Sequence, residues 1–215
     1  MDMIYPVCNF LQRITLWGFS DFNINGSENV PPYGPLIVVS NHMSDIDPSM
    51  LAVSIKRRLR FLAKSTLFTG FPKSQMLYLY GAYPLNRRKA DIQAFRWAKQ
   101  QLAYDGTIVL FPEGTRNGGS MIEAKQGVVR LIQMTDATIL PVGITGTENL
   151  NSVMRIFNPT GKITVNIGTA FSLPKIEGKL NDYLIKSMND MIMDRIADLI
   201  PEKYRGRYGS AKRSK

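Results

Sequence analysis

The 215-residue chain holds one histidine, His42, in the segment Ser40-Asn41-His42-Met43-Ser44-Asp45-Ile46-Asp47-Pro48. A lone imidazole excludes HExxH zinc chemistry and any site that needs two histidines. Beside a carboxylate it suits general base catalysis, because the carboxylate fixes the tautomer and stabilises the imidazolium formed on proton uptake. Asp45 and Asp47 are both near enough in sequence, and spacing alone does not choose between them. Asp47 equally fits the N-cap of a helix opened by Pro48. A second block, Phe111-Pro112-Glu113-Gly114-Thr115-Arg116, follows an apolar run. Pro112 removes a ladder donor and Gly114 permits a sharp turn, so Glu113 and Arg116 emerge at a strand end. A guanidinium there suits a phosphate, although a Glu–Arg pair that only pins the turn fits the same residues. Gly81 to Lys89 ends another apolar run in Arg87, Arg88 and Lys89, and Leu140 to Thr147 places two glycines at a strand end. Neither GxxxxGK[ST] nor GxGxxG occurs.

These blocks need strands to carry them. Leu36–Ser40, Leu59–Ala63, Leu77–Leu85, Thr107–Phe111, Thr138–Val142 and Lys162–Phe171 read as strands. Helical spacing covers Pro48–Arg57, Asp91–Tyr104, Glu123–Met134 and Asn181–Ile200, while Asn23 to Ser27 reads as a turn. Alternating strands and helices predict an α/β fold: a single domain with a largely parallel twisted sheet flanked by helices. Residues 1–20 put Ile4, Val7, Phe10, Leu11, Ile14 and Trp17 at helical spacing, an amphipathic segment suited to a membrane interface or to the core. The expected organisation is an N-terminal interface segment over 1–30, the α/β domain over 31–202 and a basic tail over 203–215 that stays mobile or lies on an anionic surface.

The net charge of +10 favours an anionic partner: nucleic acid, anionic lipid, a phosphorylated substrate or an acidic protein. Cys8 is the single cysteine, so an internal disulfide framework and a CxxC metal site are excluded. No stretch reaches the ~20 mostly apolar residues of a spanning helix, and Asp2 near the start is unlike a secretory signal. The reading is a cytoplasmic protein with room for peripheral membrane attachment. A nucleic-acid-binding module would explain the charge alone, since no zinc-finger or RNP pattern accompanies it.

Taken together and in this order, the four blocks resemble the 1-acyl-sn-glycerol-3-phosphate acyltransferase family within the glycerolipid acyltransferases. Asn41-His42 with Asp47 is similar to the family's NHxxxxD block, which selects Asp47 over Asp45. Gly81 to Arg87 resembles GxxFxxR, with Pro84 in place of the aromatic and Tyr83 one position earlier. Phe111 to Arg116 matches FPEGTR, Lys125 and Gly127 match a KxG pattern, and Leu140 to Gly146 matches the Pro-Val block. Tyr204-Arg205-Gly206 resembles a segment of bacterial members. The resemblance implies acyl transfer from an acyl-CoA or acyl-carrier-protein thioester to the free hydroxyl of a lysophospholipid, without a covalent intermediate, a metal or a further cofactor. It implies His42 as base, Asp47 as its orienting partner, and Arg87, Arg116 and Lys125 as phosphate ligands. Asn41, Glu113, Gly114, Thr115 and Pro141 would support the site, Glu113 at least by holding Arg116. Leu67, Phe68, Phe71 and Pro72 are available for an acyl slot. The family also implies a peripheral enzyme on the cytoplasmic side of a membrane; glycerol-3-phosphate or a lyso-aminolipid are the alternative acceptors.

Overall fold

In the computed structural model, residues 3–87 and 91–210 are described. Arg88 and Lys89 of the third block, and Lys212, Arg213 and Lys215 of the tail, lie outside the described residues.

Seven strands form one sheet: β1 (Ser20–Asn25), β2 (Leu36–Ser40), β3 (Leu59–Lys64), β4 (Ala82–Leu85), β5 (Thr107–Leu110), β6 (Thr138–Thr145) and β7 (Gly161–Ile167). Their order is β1-β7-β6-β2-β5-β3-β4. Among these seven strands only β6 and β7 pair antiparallel, so the expected α/β class with a largely parallel sheet holds. At the centre, β2 runs parallel to β5 on one side and β6 on the other. All five β2 residues are buried, as its continuous apolar run requires of a strand covered on both faces.

The alternation of β2 divides the core in two. Ile37 and Val39 pack with Ile108, Leu110 and Ile139 under α4 (Ile92–Ala103), α5 (Gly127–Gln133) and α6 (Asp182–Ala197). Leu36 and Val38 face the other way, with Val109, Leu140 and Val142, towards α2 (Asp47–Ser54) and α1 (Ile4–Phe19).

Several boundaries differ from the sequence reading, each for a local reason. Leu77–Leu85 is not one strand: α3 (Lys73–Tyr80) ends at Gly81, whose φ of 102° closes the helix, and β4 follows. The helix expected from Glu123 starts only at Gly127, because the preceding backbone donors bond elsewhere: Met121 N–H to the Tyr204 carbonyl (2.9 Å) and Lys125 N–H to the Pro112 carbonyl (2.8 Å). Asn23–Asn25 belongs to β1, paired with β7, and the turn begins at Gly26. β1 lies within residues 1–30 and is an edge strand of the main sheet. Residues 203–210 of the expected tail pack against the domain. Tyr204 and Tyr208 are buried, and Arg207 pairs with Glu123 at 2.6 Å, so two aromatic side chains outweigh the cationic character of this segment.

In α1 the usual amphipathic arrangement is reversed. Tyr5, Gln12 and Leu16 are buried, and Asn9 and Arg13 donate to the Ala52 and Val53 carbonyls of α2. Val7, Phe10, Leu11, Ile14 and Trp17 are exposed, Trp17 at 88%. Among the described residues no helix is long and apolar enough to cross a membrane.

Candidate active site

The segment after β2 is held to the sheet by Asn41, which is buried; its side chain accepts from the Ile144 N–H (2.8 Å) and donates to the Ile144 carbonyl (2.9 Å). This continues the β2–β6 pairing one residue past the strand, and His42 therefore leaves the sheet at a defined angle. Its ring stacks on Phe111 with centroids 4.1 Å apart, and its Nδ1 lies 2.9 Å from Asp47 Oδ2. The side chain of His42 is 13% exposed, that of Asp47 not at all. Asp47 Oδ2 also accepts from the Met43 and Ser44 N–H groups (2.7 and 2.8 Å), and Oδ1 accepts from the Thr147 hydroxyl at 2.7 Å. Those amides precede Asp47, so it does not serve as the helix N-cap; it is the first residue of α2. With Nδ1–H given to a fixed carboxylate, Nε2 carries the lone pair, the arrangement a general base requires.

The loop after β5 is joined to this one through Glu113. Gly114, at φ 68°, closes a turn by donating its N–H to the Phe111 carbonyl at 2.9 Å. The fully buried Glu113 carboxylate accepts from the His42 N–H (3.2 Å), the Ile122 N–H (2.9 Å) and the Asn117 amide, while the Asn117 N–H donates to the His42 carbonyl at 2.8 Å. Burial pushes the Glu113 carboxyl above the usual range, opposed by the donors from Ile122, Asn117 and His42. Ionised Glu113 therefore costs stability relative to its protonated form. The part of stability it carries is fully present below the ordinary carboxylate value and declines as pH rises through the raised one. Thermal melts taken from the ordinary carboxylate range upward should show this decline in the wild-type protein and a flatter profile in Glu113→Gln.

The expected Glu113–Arg116 pair does not form. All of the Glu113 acceptors are taken by the loop, and Arg116 instead meets Asp45 at 2.6 Å, their side chains 47% and 41% exposed. The two aspartates after His42 are thus divided: Asp47 serves the imidazole and Asp45 the guanidinium. Arg87 donates to the Gly114 carbonyl, and the Lys125 side chain lies against Gly114, 3.1 Å from where a Cβ would stand. Thr115 is exposed, and Pro141 is buried within β6, opposite Val39 of β2.

A cleft of about 950 Å³ adjoins this site on the α4–α5 side of the sheet. Phe111, whose ring carries His42, lines it along with Arg87, Gly114 and Lys125; Leu62, Leu85, Phe95 and Leu131 supply apolar wall. Neither Arg116 nor His42 is among its lining residues; His42 reaches it through the Phe111 ring. The apolar slot suggested by Leu67, Phe68, Phe71 and Pro72 lies elsewhere: none of them lines the cleft, Phe68 packs with the α1–α2 layer, and Phe71 is 90% exposed. Sequence reasoning gave no role to Thr147, Asn117 or Phe111. The signal for Thr147 was its place after Gly146, whose φ of 86° and the Lys162 carbonyl 1.9 Å from a would-be Cβ admit only glycine at the exit of β6.

Comparison with known proteins gives the same direction. A family model described as acyltransferase matches residues 21–145. The chain is 27% identical over 192 residues to a 1-acyl-sn-glycerol-3-phosphate acyltransferase of Borreliella burgdorferi, covering 86% of this chain and 74% of that one. It is 24% identical over 204 residues to the Streptococcus pneumoniae protein of the same name, covering 93% and 74%. The crystal structure of the 1-acyl-sn-glycerophosphate (LPA) acyltransferase PlsC from Thermotoga maritima superposes with a TM-score of 0.70 at 25% identity, over 91% of this chain and 78% of that one. With a family match over more than half its length, laid across the strands that carry the His42 and Glu113 loops, this chain belongs to the acyltransferase family.

Proposed function

We propose that this protein transfers a fatty acyl group from a thioester, acyl-CoA or acyl carrier protein, to the free hydroxyl of 1-acyl-sn-glycerol-3-phosphate, giving phosphatidic acid. The carrying observation is the His42–Asp47 pair stacked on Phe111, which lines an apolar cleft that also holds Arg87 and Lys125. Relatives named for this acceptor, matched over most of this chain, supply the substrate. His42 Nε2 takes the proton of the acceptor hydroxyl as its oxygen attacks the thioester carbonyl, and Asp47 stabilises the imidazolium. The tetrahedral oxyanion collapses, the C–S bond breaks, and the departing thiolate recovers the proton from Nε2. The chemistry runs on this chain's own side chains, with no metal or further cofactor. The acyl chain of the donor occupies the cleft between Leu62, Leu85, Phe95 and Leu131, and Arg87, Lys125 and Arg116 hold the acceptor phosphate. Acyl transfer to lysophosphatidate by the purified protein, measured with both donors, is the direct test; no transfer from either would remove this reading.

The outward apolar stripe of α1 supports attachment to a membrane surface, where a two-tailed product must reside. The cleft opens on the opposite face of the sheet, which lets a water-borne donor reach the site from the side away from lipid.

The Asp45–Arg116 pair makes a quantitative prediction about the acceptor. An exposed ion pair contributes about 0–1 kcal/mol, less than the ~1.5–3 kcal/mol of hydrogen bonds to a charged group, so a phosphate displaces Asp45 from Arg116. Asp45→Asn should lower KM for the phosphate acceptor about 2–5-fold with kcat unchanged, an effect lost in ~1 M salt. Arg116→Ala should raise KM instead. Steady-state kinetics on both variants check the pair of signs.

A further inference from the structure

We propose that the β6–β7 connection, residues 146–160, is a second lipid-seating element that places Val153, Met154 and Phe157 in a phospholipid surface beside α1. This rests on the acyltransferase reading for the identity of the surface, and on the following geometry for its place. Residues Val153–Ile156 form a 3₁₀ turn capped by Ser152, whose hydroxyl accepts from the Met154 N–H at 3.3 Å. Ile156 packs inward on the α1–α2 side of the core, and its carbonyl accepts from Gln12 (3.2 Å) and Thr15 (3.0 Å) of α1. At 100° per residue, Gln12 and Thr15 lie on the opposite flank of α1 from Asn9 and Arg13, which hold α2. The outward stripe of α1 is therefore bordered by α2 on one side and by this turn on the other.

The turn presents apolar groups to solvent. Val153, Met154 and Phe157 are 58%, 64% and 66% exposed within five residues. Large apolar side chains on a segment hydrogen-bonded to a helix with its own apolar face outward are exposed apolar surface of the kind that marks an interaction site. Charge selects the occupant. Arg155 stands between Met154 and Ile156, with its guanidinium on the Thr160 hydroxyl at 2.9 Å, in a chain of net charge +10. Apolar side chains that flank a fixed cation match an anionic lipid surface, where hydrocarbon and headgroup phosphate lie at adjacent depths.

The same connection frames the catalytic pair. It opens with Thr147, whose hydroxyl holds Asp47, and the Leu150 carbonyl accepts from the Ser44 hydroxyl of the His42 loop. Lipid seating of Val153, Met154 and Phe157 therefore positions the residues that orient His42.

The test uses the full chain carrying Met154→Ser and Phe157→Ser together, with vesicles of phosphatidylglycerol and phosphatidylcholine as the probe. The expected result is a fall of about tenfold or more in vesicle partition with an unchanged melting temperature. Transfer to a vesicle-borne acceptor should fall with it, while transfer to a monomeric short-chain acceptor stays at the wild-type value. Unchanged partition overturns the proposal, as does lipid-free dimerisation that the variant abolishes while partition persists, which would assign the patch to a second copy. Failure of the wild-type protein to acylate any acceptor removes the acyltransferase reading, whereas loss of partition in the variant would still support the lipid seat.

Discussion

His42→Ala should lower kcat by about 10²–10⁴-fold, equivalent to ~2.7–5.4 kcal/mol of transition-state stabilisation, and leave the protein folded. The ring is stacked on Phe111, itself a lining residue of the cleft, and bonded to Asp47, so its removal forfeits one aromatic contact of about 0.5–1.5 kcal/mol and one of four donors to Asp47. KM for the acceptor should change little, because the residues assigned to its phosphate (Arg87, Arg116 and Lys125) are untouched. Added imidazole, small enough to enter the vacated place against Phe111, should restore part of the lost turnover. A kcat within tenfold of the wild-type value would remove His42 as the base.

The prominence of His42 in the sequence has a physical origin. In a sheet whose neighbours β2 and β5 are parallel, these adjacent strands deliver their C-terminal ends to one edge, and the polar residues just past Ser40 and Leu110 must meet there. Apolar runs bounded by turn residues marked those strand ends directly. Less of the surrounding support was legible. The donors to Asp47 and Glu113 include Thr147, 100 residues from Asp47, and the His42 N–H, 71 residues from Glu113, and no local periodicity reports such partners. Met76 to Tyr80 is apolar throughout and fits strand or helix equally, so α3 was hidden until Gly81 showed a left-handed φ. In α1 the period was plain but the inward face was not. Gln12, Asn9 and Arg13 satisfy carbonyls of the protein, and the apolar stripe is left outside, the reverse of what burial alone would predict.

Asp47 separates charge from geometry more cleanly than any other residue of the site. Its Oδ2 receives Nδ1–H of His42 and two backbone N–H groups, and its Oδ1 receives the Thr147 hydroxyl. An asparagine can reproduce this set: the amide oxygen faces the three N–H donors, and the NH₂ group faces Thr147, whose hydroxyl turns to accept. Asp47→Asn should therefore fold with a melting temperature near that of the wild type. Without the negative charge the imidazolium formed in the transition state is no longer stabilised, and kcat should fall by up to about 10⁴-fold. Asp47→Ala is expected to differ in kind. It strands the buried Met43 and Ser44 N–H groups at a cost of about 1–3 kcal/mol each, so the His42 loop should loosen and thermal stability drop along with activity. The comparison of melting temperature with kcat across the two variants is decisive. If Asp47→Asn turns over at the wild-type rate, the carboxylate holds the loop and nothing more; if it is as unstable as Asp47→Ala, the hydrogen-bond set requires the charge itself.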